Sequence, residues 1–284
     1  QLENTTRIGI GECGMFKGLS IDDRQDFEAK LAWTCEHINL GLDVLLAELI
    51  DFPSIQFGLE MAFLSVSRQN KFELFPSDFT KGKDSIPING LIWMGDPVFM
   101  KQQIKDKLTS GFSCIKLKIG AIDFDKELEL MRSIRQEFDA DTIEIRVDAN
   151  GAFKPNEALE KLKRLSDYNL HSVEQPIRQG QVGDMAQLCS ETPLPIALDE
   201  ELIGVFSVTE KQFLLQTIKP QYIILKPTLV GGFKGSQEWI ALAESNQIGW
   251  WVTSALESNI GLNAIAQWTY TLESQLPQGL GTGG

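Results

Sequence analysis

The sequence is poor in the groups that many enzymes use as nucleophiles or soft ligands. Among 284 residues there are four cysteines, two histidines and three tyrosines. Cys13, Cys35, Cys114 and Cys189 are far apart, with no CxxC pair and no zinc-type spacing. Free thiols in a reducing cytoplasm are therefore expected. His37 falls on an amphipathic segment and His171 stands just ahead of an apolar run, and neither has a nucleophile or ligand close in sequence. Both are expected to be structural, and a Ser-His-Asp mechanism finds no support. No apolar run approaches the roughly 20 residues that span a bilayer. No basic segment leads into an apolar one at the start, so no signal peptide is expected. Positive charge is scarce too: 26 Lys and Arg stand against 39 Asp and Glu, a formal net charge of −13. That argues against nucleic acid or an anionic membrane as partner, since both select basic patches. A small molecule is the expected partner, self-association is left open, and part of the surplus acid is available to a cation.

What is present fits an ordinary globular protein, with 43% apolar and 23% charged residues. Residues 1–85 read as an α+β unit. IGIGE (8–12) reads as a strand end, followed by the loop GMFKGLSIDD (14–23), then apolar 3.6-residue spacing over 24–50 and 54–68. The strand has no antiparallel mate evident ahead of it, so the N-terminus is expected to be incomplete. FPSDFTKGKDS (75–85) gathers Pro, Gly, Ser and Asp and reads as a boundary.

From residue 86 to the end a rhythm sets in. Strands are predicted at 86–95, 114–120, 142–150, 171–176, 195–200, 222–227 and 249–258, with helices over 97–110, 123–138, 155–168, 181–191, 207–217 and 234–246. Strand–helix alternation predicts a parallel sheet with crossover helices. Seven repeats fit a (β/α) barrel better than an open sheet.

Charged residues break the apolar pattern near the C-terminal ends of the strands. Lys118, Asp148, Glu174, Asp199 and Lys226, followed by Ser254, stand near the C-terminal ends of six consecutive predicted strands, 25–30 residues apart. One such residue means little, because strand ends are often polar. Five ionisable groups on five successive strands point to one barrel mouth, where barrel active sites are built. Asp148, Glu174 and Asp199 would repel one another without a cation. Oxygen-only ligands favour Mg²⁺ first and Mn²⁺ second. Asn150, Glu200 and Glu201 are near enough in sequence to support these ligands, Asn150 foremost because it shares the parity of Asp148.

Lys116 and Lys118, in CIKLKIG (114–120), share a strand face. Two ammonium groups side by side and partly desolvated are expected to depress the pKa of one of them, and a lysine neutral near pH 7 is a general base. Lys226 would face the site from across the mouth. The chemistry expected is metal-assisted removal of a proton next to a carboxylate, through an enediolate.

Lys116-x-Lys118, DAN (148–150), EQP (174–176), DE (199–200) and KPTLVGG (226–232), in this order, resemble the enolase superfamily and its muconate-lactonizing subgroup, over about residues 86–270. Such sites pair a lysine base with Mg²⁺. The resemblance implies a barrel of the modified TIM type (86–284) beneath an N-terminal capping domain (1–85). It makes Asp148, Glu174 and Asp199 the metal ligands, Lys118 and Lys226 the catalytic lysines and Lys116 the tuner of Lys118. Met15 and Phe16, in GECGMFKGLS, would cover the substrate, while Ser254 and the stretch from Glu257 would line it. Members of the family continue beyond QGLGTGG (278–284), so the C-terminal tail is expected to be incomplete. The implied reaction is dehydration of a hydroxycyclohexadiene carboxylate, or racemisation or epimerisation of N-acylamino acids or dipeptides with the same two lysines. A Schiff-base aldolase using Lys226 and a barrel with a purely binding role are the remaining alternatives. GLGTGG (279–284) mimics a dinucleotide motif, but no helix follows it. Gly231–Gly232 is expected to make a tight turn rather than a phosphate cradle.

Overall fold

The computed structural model describes residues 2–3, 8–93 and 95–281. Met94, within the first predicted barrel strand, and residues 282–284 of GLGTGG lie outside the described residues. Strand β1 (Leu2–Glu3) pairs antiparallel with β2 (Ile8–Gly9). The opening strand therefore has its mate in the chain's first residues, where the sequence reading found none. The predicted helix over 24–50 is two helices, α1 (Phe27–Glu36) and α2 (Leu42–Glu48). A 3-10 turn, Ile38–Leu40, and then Gly41 separate them, and Gly41 sits at φ 83°, a left-handed value that no helix interior holds. Helix α3 (Pro53–Ser67) begins with proline, whose missing N–H costs nothing there. Phe52, ahead of it, has no capping side chain, and Asp22 caps from afar, accepting from Ser54 N (2.9 Å) and Ser54 Oγ (2.6 Å).

The remainder alternates as the spacing predicts. The strands are β3 (Gly90–Ile92), β4 (Cys114–Lys118), β5 (Glu144–Asp148), β6 (Ser172–Glu174), β7 (Ile196–Leu198), β8 (Tyr222–Leu225) and β9 (Gly249–Val252). They form one parallel sheet in chain order. The helices between them are α4 (Pro97–Thr109), α5 (Phe124–Glu137), α6 (Pro155–Ser166), α7 (Val182–Glu191), α8 (Val208–Ile218), α9 (Pro227–Val230) and α10 (Gly232–Ser245), and α11 (Asn259–Thr271) follows β9. Two short elements, α9 and the 3-10 turn Glu200–Leu202, were not predicted, and α11 stands where the sequence reading named no helix. Predicted strands 86–95 and 249–258 shrink to three and four residues because the flanking chain turns into loops at the strand ends.

The chain's last described residues join the two edges of this sheet. Gln278 bridges to Ile88 beside β3, and Gly279 bridges to Thr253 beside β9, both in parallel. Gln278 N donates to Pro87 O (2.8 Å) and Gly279 N to Val252 O (2.7 Å). The Gln278 side chain is buried and accepts from Val252 N (2.7 Å) while donating to Leu276 O (2.6 Å). The segment thus acts as the missing stave, and the sheet closes as a TIM-like barrel.

The main core runs without a break from the barrel into α3, including Phe57, Met61 and Leu74 with the strand residues. At this seam Phe57 meets Phe233 (centroids 5.2 Å), and Phe233 also meets Phe75 (5.3 Å) and Trp268 (5.3 Å). Glu60 of α3 reaches the start of α10, where its carboxylate accepts from Phe233 N (2.5 Å) and Lys234 N (3.0 Å). This explains the glycine pair. Gly231 and Gly232 have φ 94° and 72°, and a Cβ on Gly232 would lie 2.0 Å from Glu60 Oε2. The expected tight turn is there, and the backbone N–H groups beyond it are already taken by a carboxylate.

Candidate active site

Strand register levels three of the predicted charges. Lys118 stands opposite Asp148, and Asp148 opposite Glu174. Glu174 pairs with Ala197, so Asp199 lies two residues higher, where β7 gives way to a 3-10 turn. Lys226 directly follows β8. Inward parity then places all six ionisable side chains, Lys116 included, at the C-terminal end of the barrel.

The side chains form a chain of contacts running from Glu174 and Lys116 through Asp148, Lys118 and Asn150 to Glu200, with Lys226 and Asp199 as a separate pair. Lys116 Nζ lies 2.8 Å from Asp148 Oδ2 and 2.5 Å from Glu174 Oε2. Lys118 Nζ lies 2.6 Å from the same Asp148 oxygen and donates to Asn150 Oδ1 at 2.5 Å. Lys226 donates to Asp199 Oδ2. Asn150 turns its amide to Glu200 Oε1 (2.9 Å). The lysines differ in access: the side chain of Lys118 is 43% exposed, against 17% for Lys116 and 14% for Lys226. Asp148 and Glu174 are buried.

These contacts change the expected electrostatics. Burial disfavours the Lys116 ammonium, yet Glu174 and Asp148 outweigh it and raise its pKa. The predicted depression through a like-charged neighbour does not appear at Lys116, because carboxylates within 3 Å dominate over the second ammonium. Burial likewise pushes the Asp148 carboxyl up, and Lys116 and Lys118 more than reverse it, holding it well below the usual carboxylate range. Glu174 goes the other way. Burial first, then the charges of Asp148 and Asp199, raise its acid well above the ordinary value despite Lys116 and Lys226. Burial opposes the Lys226 charge, and Asp199 with Glu174 overcomes it, so its pKa rises. Glu200 is raised by burial and by Asp199.

Whether these carboxylates suit a metal ion is decided by their chemistry. Among the described residues no three carboxyl, imidazole or thiol groups are gathered as a ready-made metal cage. The three carboxylates are turned onto ammonium groups instead of one shared point, which corrects the simple convergence expected from sequence. The donor set nevertheless fits a hard divalent cation. Three acidic side chains sit on adjacent strands, and Glu174 Oε1 is buried without a hydrogen-bond partner. Burial and the neighbouring carboxylates disfavour the charged form of Glu174, a cost that a bound cation would offset.

Other predicted residues are placed less simply. Glu201 is turned away from the lysines, to Gln175 Nε2 (3.0 Å) and Gly180 N (2.9 Å). Glu257 is buried, accepting from Thr228 Oγ1 (2.5 Å) and Ala255 N (2.7 Å). Its carboxylate thus builds the loop after β9, where a substrate contact was expected. Ser254 lies beyond the end of β9, its N–H on Gly279 O (3.3 Å). Continuing the pairing of Leu225 with Val252 sets Thr253, not Ser254, beside Lys226. Met15 and Phe16 are half-buried in the N-terminal loop. His171 packs tilted against Tyr222 (centroids 4.8 Å) and His37 stacks on Trp33 (4.4 Å), both structural settings.

Gln175 is the residue that sequence reasoning passed over. It is buried at φ 37°, and its Oε1 accepts from Asp199 N and Glu201 N, each at 3.2 Å. It ties the end of β6 to the end of β7 and so fixes the spacing of Glu174 and Asp199. Its only signal was its place inside EQP. Asn150 also has positive φ, 42°, so the chain leaving β5 and the chain leaving β6 each pass through a left-handed non-glycine residue.

Comparison with known proteins agrees with this geometry. Residues 100–280 match the model of the family described as Enolase C-terminal domain-like. An o-succinylbenzoate synthase from Desulfotalea psychrophila (strain LSv54 / DSM 12343) is 57% identical over 232 residues, covering 82% of this chain and 63% of the relative. This chain therefore spans a little under two thirds of that relative's length. The crystal structure of MenC from Desulfotalea psychrophila LSv54 superposes with a TM-score of 0.91 at 46% identity, covering 99% of this chain and 87% of that one. Muconate lactonizing enzyme from Pseudomonas putida shares the fold, with a TM-score of 0.77 at 24% identity over 95% of this chain and 77% of that one.

Proposed function

This chain belongs to the enolase C-terminal domain-like family, and from that premise we propose that it acts as an o-succinylbenzoate synthase. It would be a lyase of menaquinone biosynthesis that dehydrates 2-succinyl-6-hydroxy-2,4-cyclohexadiene-1-carboxylate. The observation that carries the reading is the similarity to the Desulfotalea psychrophila synthase, and the chemistry of the barrel mouth agrees with it. Lys118, the site lysine most open to the mouth, takes the proton next to the ring carboxylate from its neutral form. The same ammonium then gives a proton to the departing hydroxyl, so both bonds break on one face. Asp148 and Asn150 aim its Nζ. Lys226 stays charged and offsets the negative charge that builds on the substrate carboxylate. Lys116, locked between Asp148 and Glu174, keeps that pair of carboxylates together. Asp148, Glu174 and Asp199 would hold Mg²⁺, with Mn²⁺ as substitute, and the bound ion supplies positive charge for the same carboxylate. Residues 1–85 would serve as the cap of a modified TIM barrel made by residues 86–284. All four cysteines are free, in keeping with a reducing, cytoplasmic setting, and no helix among the described residues is long and apolar enough to cross a membrane.

The test is an assay of the purified protein with the cyclohexadiene acid, run with Mg²⁺, with EDTA, and in D₂O. Formation of o-succinylbenzoate that stops in EDTA and resumes with Mg²⁺ is the expected result. Deuterium entering both enantiomers of an N-acylamino acid, without any dehydration, would replace this function by racemisation. Borohydride trapping of substrate on Lys226 with full activity in EDTA would replace it by Schiff-base chemistry.

A further inference from the structure

The segment Ile8–Cys13 has an alternating order whose two faces do different things. Gly9, Gly11 and Cys13 face α3. A Cβ on Gly9 would lie 2.1 Å from Ala62 O, one on Gly11 1.9 Å from Gly58 O, and one on Gly58 2.4 Å from Cys13 Sγ. Only glycine allows the two backbones so close. Alternation then sends Glu12 the opposite way, toward the barrel. Its Oε1 accepts from Ser258 N (2.7 Å), and its Oε2 accepts from Ser258 Oγ (2.5 Å) and Gly261 N (2.7 Å). Ser258 is the N-cap of α11, so this end of the helix lies on the mouth side, just after the loop that leaves β9. Gly261 has no room for a side chain there, since a Cβ would lie 2.9 Å from Glu12 Oε2.

The loop that follows is held at its other end as well. Asp22, fully buried, binds the start of α3 through Ser54. Between these two carboxylates the chain is compact. Phe16 N donates to Ser20 Oγ (2.8 Å), Gly18 N to Asp23 Oδ2 (2.7 Å) and Ser20 N to Phe16 O (2.9 Å). Ile21 reaches the loop after β7, where a Cβ on Gly204 would lie 3.5 Å from its Cγ2. Only the tip, Lys17 and Gly18, is exposed.

We propose that Glu12 is a positioning residue for the substrate pocket: it pins the 13–21 loop, with Met15 and Phe16, to the N-terminus of α11. The loop from residue 13 and the loop after β9 thereby form one wall rather than two independent flaps. This rests on the reading of the barrel mouth as the site of an o-succinylbenzoate synthase.

The test uses Glu12→Ala, Glu12→Gln and Ser258→Ala in the whole chain, with two measurements. In steady-state dehydration, Glu12→Ala raises KM about tenfold or more while kcat stays within about threefold, because three hydrogen bonds to a charged group are lost and no reacting group is touched. Glu12→Gln, which keeps one carbonyl oxygen, and Ser258→Ala, which removes the Oγ bond to Glu12 together with the cap to Ile260 N, lie between it and the wild type. In limited trypsin digestion, cleavage after Lys17 speeds up about tenfold in Glu12→Ala, since cutting reports local opening. This second measurement needs no substrate. If the cyclohexadiene acid is not turned over by the wild type, the functional reading fails while the digestion still judges the latch. Unchanged cleavage at Lys17 overturns the latch. Faster cleavage with unchanged KM, or a lower kcat at unchanged KM, overturns the positioning role. Should Glu12→Ala not fold, Glu12→Gln decides by the same two readouts.

Discussion

The barrel interior holds two charged layers, one above the other, that use similar residues to different ends. In the upper layer, at the mouth, three lysines share three carboxylates, and two of the lysines bind the same oxygen of Asp148. In the layer beneath, Arg146 donates through Nε to Glu144 Oε1 (2.8 Å) and through Nη1 to Pro277 O (2.8 Å). Its guanidinium lies 4.2 Å over the ring of Trp251. Cys114 Sγ reaches the same Glu144 oxygen (3.2 Å). Burial, with Arg146 adding to it, holds the His171 imidazole below its ordinary value despite Glu144. On β5 Arg146 stands two residues below Asp148, level with the backbone of Lys116, whose side chain reaches up to the mouth, so only one repeat of the pleat separates the layers. The difference is in access and sharing. The lower charge is sealed by an aromatic ring and by backbone from the closing segment. The upper charges share their partners and leave Lys118 open. An inward charge marks a working site only where its partners leave it free to change state.

Two substitutions should separate the layers. Lys118→Ala at the mouth should lower turnover by about a thousandfold, the usual scale of a lost general base, with the unfolding transition kept. Turnover within threefold of the wild type would refute the assignment. Arg146→Met in the lower layer should do the reverse. It should lower stability by about 2–4 kcal/mol, because it orphans Pro277 O and leaves the partly buried Glu144 without its guanidinium partner, while kcat of the remaining folded enzyme stays near the wild type. Denaturant midpoints and active-site-normalised rates measure both. An Arg146→Met protein of full stability and lost activity would merge the layers into one functional unit.

A carboxylate outside the barrel sharpens the contrast through pH. Burial pushes the Glu60 acid up to about 7, against the helix N–H groups of Phe233 and Lys234 that favour its charge. Its ordinary value is 4.5, so between these limits the folded chain holds a proton that the unfolded chain has lost. Stability from this group is therefore present below the lower limit and falls as pH rises through the upper one. The loss between pH 5 and pH 8 should be roughly 2–3 kcal/mol, and it should vanish in Glu60→Gln. Denaturant unfolding of both proteins at the two pH values checks it. Equal pH dependence in the two would place the titration elsewhere.

Much of this architecture was legible because parallel barrels repeat. Buried strands of four to eight apolar residues, separated by amphipathic helices, leave a period that survives in the sequence. The six barrel helices expected from it fall within about two residues of those found, a normal scatter for helix ends. Elements without that period were lost. The break at Gly41 depends on a single φ angle, and α9 is one turn long. The stave at Gln278–Gly279 carries no apolar run, since a buried glutamine bonding both edges does the work of a strand. Asp148, Glu174 and Asp199 stood out as charges in apolar surroundings. Gln175, Glu60 and Glu12 did not, because their partners are 24 to 249 residues away.

Sequence alone determined the order of the seven barrel strands and of the six helices expected between them, and which charged residues share the inward parity, since parity and a constant repeat follow from local geometry. Tertiary structure alone decided what those side chains do to one another. The preference of Lys116 for two carboxylates over a like-charged neighbour, the closure of the sheet and the attachment of the N-terminal loop to α11 all turn on distances between segments remote in the chain. Electrostatic and hydrogen-bond energies depend on those distances within an ångström, and a sequence pattern records only which residues share a face.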